Sequence, residues 1–156
     1  MIQRIQSVFL LLVSICMISV LYFPIWEKTN PETGEKIVVD AFSTFNAANP
    51  DAAISNNVYI AIFAGISAVI AFFSIFRYRN RLQQIKLGLL NSLLMSLLVG
   101  AYFYTIHQAK SAGFDKFDEN YNVGFFLPLV ALIFNLLANR FIRKDEELVR
   151  SVDRLR

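Results

Sequence analysis

The side chains able to do chemistry are few and far apart. The 156-residue chain holds one cysteine, Cys16, and one histidine, His107. That excludes a disulfide framework, a CxxC redox or thiolate-metal site and any multi-histidine cluster within one chain. His107 has the chemistry of a general base, but it follows the aromatic stretch Tyr102 to Tyr104, where a solvated interfacial histidine is the simpler reading. Asp115, Asp118 and Glu119 are close in sequence, with Lys110 and Lys116 among them; they read as a solvated loop and not as an oxygen cage for a cation. No HExxH, GxSxG or P-loop pattern occurs. The expectation is a chain that is not an enzyme and takes no cofactor or metal.

The elements that must hold these residues are set by composition. Hydrophobic residues make up 56% of the chain and charged residues 17%, against roughly 45–50% and about 25% in a soluble domain. A soluble core of this length has no room for so much apolar surface, which points to lipid as the solvent. Charged groups cost roughly 2.5–3.5 kcal/mol each at the centre of a membrane helix, so their absence marks candidate spans. Four charge-free runs lie between Arg4 and Glu27, Asp51 and Arg77, Lys86 and Lys110, and Glu119 and Arg140. Trimmed to their apolar parts they become spans 5–26, 58–76, 87–106 and 123–139, half of a single membrane domain covering 1–156. The fold class is therefore all-α: a four-transmembrane-helix bundle. Cys16 falls mid-span, where a thiol behaves as a small apolar residue.

Aromatic residues and cations orient the bundle. Tyr22, Trp26, Tyr59, Tyr102, Tyr104 and Tyr121 gather at one end of the spans and Tyr78 at the other, as expected of residues that favour the headgroup boundary. Eleven of the fifteen Lys and Arg residues fall on one side, in Arg4, the loop 77–86 and the tail 140–156. Arg77, Arg79, Arg81, Lys86, Arg140, Arg143 and Lys144 are the expected topology determinants, and both termini are expected in the cytoplasm. The sequence pI near 9.1 follows from attraction to anionic headgroups, and no nucleic-acid partner is needed to explain it. Span 5–26 is expected to be retained as an anchor. Its apolar run exceeds a usual signal-peptide core, no A-x-A-like site follows it, and Ile15 before Cys16 argues against lipoprotein processing.

Outside the membrane, loops 27–57 and 107–122 are exported. In the first, Asn30-Pro31-Glu32-Thr33-Gly34 is a turn signal between 26–29 and the β-branched run at 36–42, so a small β-hairpin is expected. Asn49-Pro50-Asp51 reads as the start of a short interfacial helix. The tail reads as a cytoplasmic continuation of the fourth helix, amphipathic, with Glu146 and Arg150 at i,i+4 and an apolar stripe of Leu148, Val152 and Leu155. That stripe suits either the chain's own loops and the bilayer surface or another protein.

Helices in lipid associate through small residues and interhelical hydrogen bonds. Gly88, Ser92, Ser96 and Gly100 form an i±4 ridge on the third span, with Asn91 nearby, Asn135 on the fourth, and Ala61 and Gly65 on the second. The ridge serves packing within one chain or between two, and Ser96→Leu is expected to disrupt assembly. Pro128 removes the usual donor to the Gly124 carbonyl and predicts a local kink. No Asp, Glu, Lys, Arg or His lies inside a span, which removes the usual signature of proton-coupled transport.

Two stretches carry a family resemblance: Met1-Ile2-Gln3-Arg4-Ile5-Gln6, leading into an apolar run, and Lys144-Asp145-Glu146-Glu147-Leu148-Val149-Arg150-Ser151-Val152-Asp153-Arg154-Leu155-Arg156. Together they resemble the uncharacterised bacterial membrane-protein family called domain of unknown function 4293, over the whole chain; a residue smaller than Val152 is expected at that position. The resemblance implies an inner-membrane protein of bacteria and supplies no catalytic or ligand residues. Two functions stand open. One is a small structural, assembly or regulatory subunit, in which the Gln3, Arg4 and Gln6 end and the Leu148, Val152 and Leu155 helix dock a membrane or cytosolic partner. The other is a small channel or transporter for a neutral or lipid-like solute, lined by Asn91, Ser92 and Asn135.

Overall fold

A computed structural model describes residues 2–30, 34–78, 80–111 and 118–153. These residues form α1 (Ile2–Ser19), β1 (Trp26–Thr29), β2 (Lys36–Val39), β3 (Ser43–Asn46), β4 (Asn49–Asn56), α2 (Val58–Phe76), α3 (Arg81–Ser111), β5 (Asp118–Tyr121) and α4 (Val123–Asp153). Three helical stretches, Val58–Phe76, Arg81–Lys110 and Val123–Val149, are long and apolar enough to cross a membrane; the apolar part of α1, Ile5–Ser19, is shorter.

The expected first span, 5–26, is thus cut at Ser19. Pro24 is the cause: it cannot donate to the helical ladder and disfavours helical backbone at Phe23. The last turn tightens ahead of it, with Leu21 N–H donating to Ile18 O and Tyr22 N–H to Ser19 O, both at 3.0 Å. At the other extreme, α3 and α4 have 31 residues each, about 46 Å of helix. They overshoot a hydrocarbon slab of roughly 30 Å and absorb much of the expected 77–86 loop and the tail.

α1 packs on α2 and α4, and α3 packs on the same two neighbours, so the helices stand in a square. Each turns large apolar side chains outward: Leu11, Ile15, Ile66, Val69, Leu93, Leu97, Ile133 and Leu136 are all exposed. In water such a surface would drive association; in lipid it is the contact surface.

The expected hairpin is one part of a larger sheet. Five antiparallel strands run in the order β4-β3-β2-β1-β5. β1 pairs with β2 through Trp26 opposite Val39 and with β5, from the loop between α3 and α4, through Trp26 opposite Tyr121. Turn residues 31–33 lie outside the described residues, but Asn30 and Gly34 close the turn, with Gly34 N–H donating to Asn30 O at 2.9 Å and Gly34 at φ +73°. The expected interfacial helix at Asn49-Pro50-Asp51 is instead the start of β4. An edge strand tolerates a proline, and α2 begins only at Val58, behind Asn57.

The sheet closes one end of the bundle. Ile25, Trp26, Val39 and Ala41 belong to one apolar cluster with Val13, Met17, Val20, Ile60, Met95, Leu98, Tyr102 and Ile106. Asn57, buried, donates from Nδ2 to Thr44 Oγ1 at 2.9 Å, while Asn122 N–H donates to Ile25 O at 3.1 Å and Gly124 N–H to Pro24 O at 3.1 Å. Gly124 is required there, because a Cβ would stand 2.5 Å from Pro24 O and 2.6 Å from Phe23 O. On the opposite face of the sheet Lys36 pairs with Glu27 at 2.8 Å, and Asn122 Nδ2 donates to the same carboxylate at 3.0 Å. Lys110 pairs with Glu119 at 2.6 Å, tying the end of α3 to β5. Glu119 is therefore a strand residue and not part of a loose loop; Asp115 and Lys116 lie outside the described residues.

Candidate functional site

The interior of the bundle changes character along its length. Toward the sheet it is filled by Val13, Met17, Ile60, Ala64, Met95, Leu98 and Tyr102. Toward the other end, where α1 and α3 begin and α2 and α4 finish, Leu10, Ala71, Ala138 and Ile142 are joined by buried polar side chains, Gln6, Ser67, Ser74, Gln84, Asn91, Asn135 and Asn139. An amide facing lipid lacks partners, so these residues are driven inward.

Their hydrogen bonds stitch the helices in pairs. Asn135 Nδ2 donates to Gly88 O at 2.7 Å and to Ser92 Oγ at 2.8 Å, joining α4 to α3. Ser67 Oγ donates to Asn91 Oδ1 at 2.7 Å, and Gln84 Nε2 donates to Ser74 O at 3.1 Å, joining α2 to α3. Ser14 Oγ donates to Ala68 O at 3.2 Å and joins α1 to α2. Several atoms are left over: both amide atoms of Gln6 and of Asn139, Gln84 Oε1, Asn91 Nδ2 and Asn135 Oδ1 have no hydrogen-bond partner among the described residues. Each such group costs roughly 1–3 kcal/mol, a burden out of keeping with a bundle optimised for packing alone. Amides and hydroxyls carry no charge and exchange hydrogen bonds, so the arrangement is suited to holding a polar group. Among the described residues no group of three His, Cys, Asp or Glu stands together to hold a metal.

The structure divides the expected packing ridge. Gly88 is buried against Asn139, whose Oδ1 occupies the place a Cβ would take, and Asn91, Ser92 and Asn135 join it between helices. Ser96 and Gly100 are exposed; Ser96 Oγ bonds its own helix at Ser92 O, and a Cβ at Gly100 would meet nothing within 4 Å. The reason is geometric. An i±4 row drifts about 40° around the axis at each step, so the row that faces α4 at Gly88 has left the interface by Gly100. The small residues that let α2 pack closely are Ala64, Ser67, Ala68, Ala71 and Ser74, whereas Gly65 meets nothing within 4 Å.

Sequence reasoning missed Gln84, Asn139, Ser67 and Ser74. Gln84 and Asn139 fall at or beyond the edges of charge-free runs, yet Gln84 continues the Gly88/Ser92 row one step back and Asn139 follows Asn135 by four, and those spacings were the available signal. Gln6, expected on a docking surface, points inward and is fully buried. Tyr102, expected at the headgroup boundary, is also buried; its hydroxyl donates to Gly124 O at 3.4 Å, the carbonyl that Pro128 leaves without a helical donor.

At the end away from the sheet, Leu148 is 48% exposed. The side chains of Arg4 and Val152, and residue Leu155, lie outside what is described. Arg81 clamps α3 to α4 through Asp145 at 3.0 Å, and Arg77 stands over the Phe73 ring at 5.0 Å. Lys86, Arg140, Arg143 and Lys144 are exposed at this same end; Arg79 lies outside the described residues.

A search of curated proteins finds no match to the chain. A family model described as Domain of unknown function (DUF4293) matches residues 2–155. The chain, with its three long apolar helices and one shorter one, belongs to the DUF4293 family.

Proposed function

We propose that this is a four-span protein of the bacterial inner membrane with both termini in the cytoplasm, acting without catalysis as a small structural, assembly or regulatory subunit through its cytoplasmic ends. Support for the fourth span comes from α1. Its 18 residues measure about 27 Å, and it shows the inside-outside pattern of its neighbours, with Val13 and Met17 buried and Leu11, Ile15 and Ile18 outward. A helix sharing both neighbours and pattern shares their solvent. The sheet draws strands from both expected exported loops at one end, while Arg77, Arg81, Lys86, Arg140, Arg143 and Lys144 lie at the other, in keeping with cytoplasmic placement of the basic end.

The observation that carries the subunit reading is the filled outer half of the bundle beneath the sheet. Met17, Ile60, Met95, Leu98, Tyr102 and Trp26 are all fully buried there, so the polar inner half leads into packed side chains. Mild-detergent affinity purification with mass spectrometry tests it: removal of residues 145–156 should leave membrane insertion intact and lose co-purifying partners, and an unchanged partner set refutes it. The amide atoms of Gln6, Asn91, Asn135 and Asn139 that lack a partner among the described residues favour a second reading, passage of a neutral or lipid-like solute, which flux into liposomes would reveal. For topology, with Cys16 replaced, a single cysteine at Ser111 should label from outside and one at Ser151 should not.

A further inference from the structure

A groove of about 560 Å³ opens between α3 and α4 at the basic end of the bundle, lined by Leu89, Leu136, Asn139, Arg140, Arg143, Lys144 and Glu147. Its volume is within the roughly 300–1,000 Å³ of small-molecule sites. The lining is graded. Leu89 and Leu136 belong to the outward apolar surface; Arg140 is one helical turn beyond Leu136, and Arg143 and Lys144 are two turns beyond, about 10–12 Å along the axis. Spacings of three and four put Leu136, Asn139, Arg140, Arg143, Lys144 and Glu147 on one face of α4.

Two independent observations indicate an anionic, hydrogen-bonding occupant. Three cations face one carboxylate in the groove, and among the described residues none of the three is held in an ion pair. Of the other acids on α4, Asp145 is already engaged by Arg81 and Glu146 is not free either. Separately, Asn139 is 5% exposed, and neither its Nδ2 nor its Oδ1 has a partner among the described residues. A buried amide with both functions unused, beside unpaired cations and at the edge of a lipid-facing apolar strip, matches one molecule: a phospholipid whose acyl chain follows Leu89 and Leu136.

We propose that the α3–α4 groove is a binding site for an anionic phospholipid, with the phosphate held by Arg140, Arg143 and Lys144 and the adjoining glycerol-ester region hydrogen-bonded by Asn139. Basic pockets between spanning helices recognise headgroups in this way, and arginine forks suit phosphate oxygens. The proposal rests on α3 and α4 spanning the membrane but not on the subunit reading, since a transporter would carry the same groove.

The test is retention of dioleoylphosphatidylglycerol against dioleoylphosphatidylcholine by native mass spectrometry of the full chain, alongside alkaline extraction of membranes. Phosphatidylglycerol should be retained preferentially. The triple change Arg140→Gln, Arg143→Gln, Lys144→Gln should weaken its binding about tenfold or more, while Arg77→Gln with Lys86→Gln, which removes cations from the same end but outside the groove, should not. Asn139→Ala, which leaves the charge unchanged, should also reduce retention; circular dichroism confirms that each variant is folded. Equal retention of the two lipids, or equal losses in the groove and control variants, overturns the proposal in favour of diffuse charge attraction. Displacement of the lipid by millimolar inorganic phosphate overturns it in favour of a free-anion site. Release of the chain by alkaline extraction shows instead that the spanning reading has failed, and the lipid site with it.

Discussion

Tyr102→Phe isolates one hydrogen bond that repairs a break made by the chain itself. Pro128 leaves Gly124 O without its helical donor, and the buried Tyr102 hydroxyl donates to that oxygen at 3.4 Å. Removing the hydroxyl leaves the ring, and with it the contact to Phe125 at 6.1 Å between centroids, so the change is close to a pure loss of donor. An orphaned buried acceptor costs roughly 1–3 kcal/mol. The bond is longer than the usual O–H···O distance of about 2.7–2.8 Å, which puts the expected loss near the bottom of that range, about 1 kcal/mol. The decisive comparison is a double-mutant cycle with Pro128→Ala. Alanine restores a backbone N–H that serves Gly124 O, so Tyr102→Phe should cost about 1 kcal/mol in the parent and far less in the Pro128→Ala background. Reversible unfolding in mixed detergent micelles, followed by circular dichroism, reads both legs. Equal losses in the two backgrounds would refute the reasoning, because the hydroxyl would then be stabilising something other than the carbonyl freed by the proline.

Three further outcomes are expected. Gly124→Ala drives a Cβ into two backbone carbonyls, which cannot swing aside as a side chain can, so a loss of roughly 1–3 kcal/mol is expected; a thermal midpoint equal to the parent's would show that the entry to α4 shifts freely. Glu27 has its carboxyl held below the usual range, chiefly by its hydrogen bond to Lys36 and then by that from Asn122. The folded state therefore gives up this proton more readily than the unfolded one. The stabilisation is complete above the unfolded value of 4.5 and is lost as pH falls through the lowered folded value. Fluorescence of Trp26, the single tryptophan, should report a shallower acid transition in Glu27→Gln, and identical transitions would exclude a role for this carboxylate. Ser96→Leu, which the ridge in the sequence predicts to be disruptive, should leave the stability of one chain within about 0.5 kcal/mol, since Ser96 faces outward; a large loss in the detergent-solubilised monomer would contradict its placement.

Ridge, hairpin and first span mark where residue type stops deciding structure. Gly88, Asn91, Ser92 and Asn135 lie between helices as their small or polar character suggests, because that character disfavours lipid at whatever position it occurs. Ser96 and Gly100 have the same character and the same spacing, yet they leave the interface, because the direction in which an i±4 row winds relative to a neighbour depends on how the two helices cross. The hairpin signal was local and half of the story: β2 and β3 follow β1 directly, but β5 arrives from the far side of α2 and α3 in the chain, and no periodicity in Asp118–Tyr121 announces Trp26 as its partner. The early end of α1 was legible in Pro24, which outweighs the absence of charge in the same stretch.

The sequence by itself pointed to lipid as the solvent and located four apolar helices, the end that carries the cations and the family, since each depends on residue type summed along a short stretch: hydropathy, charge and a few terminal motifs. Tertiary structure alone decided that two loops far apart in the chain merge into one sheet, that Tyr102 supplies the donor Pro128 removed, and that Asn139 comes to rest on Gly88 beside three cations with no ion pair among the described residues. Those relations join residues distant in the chain, and their energies depend on distance and direction between side chains, which no property of either residue alone contains.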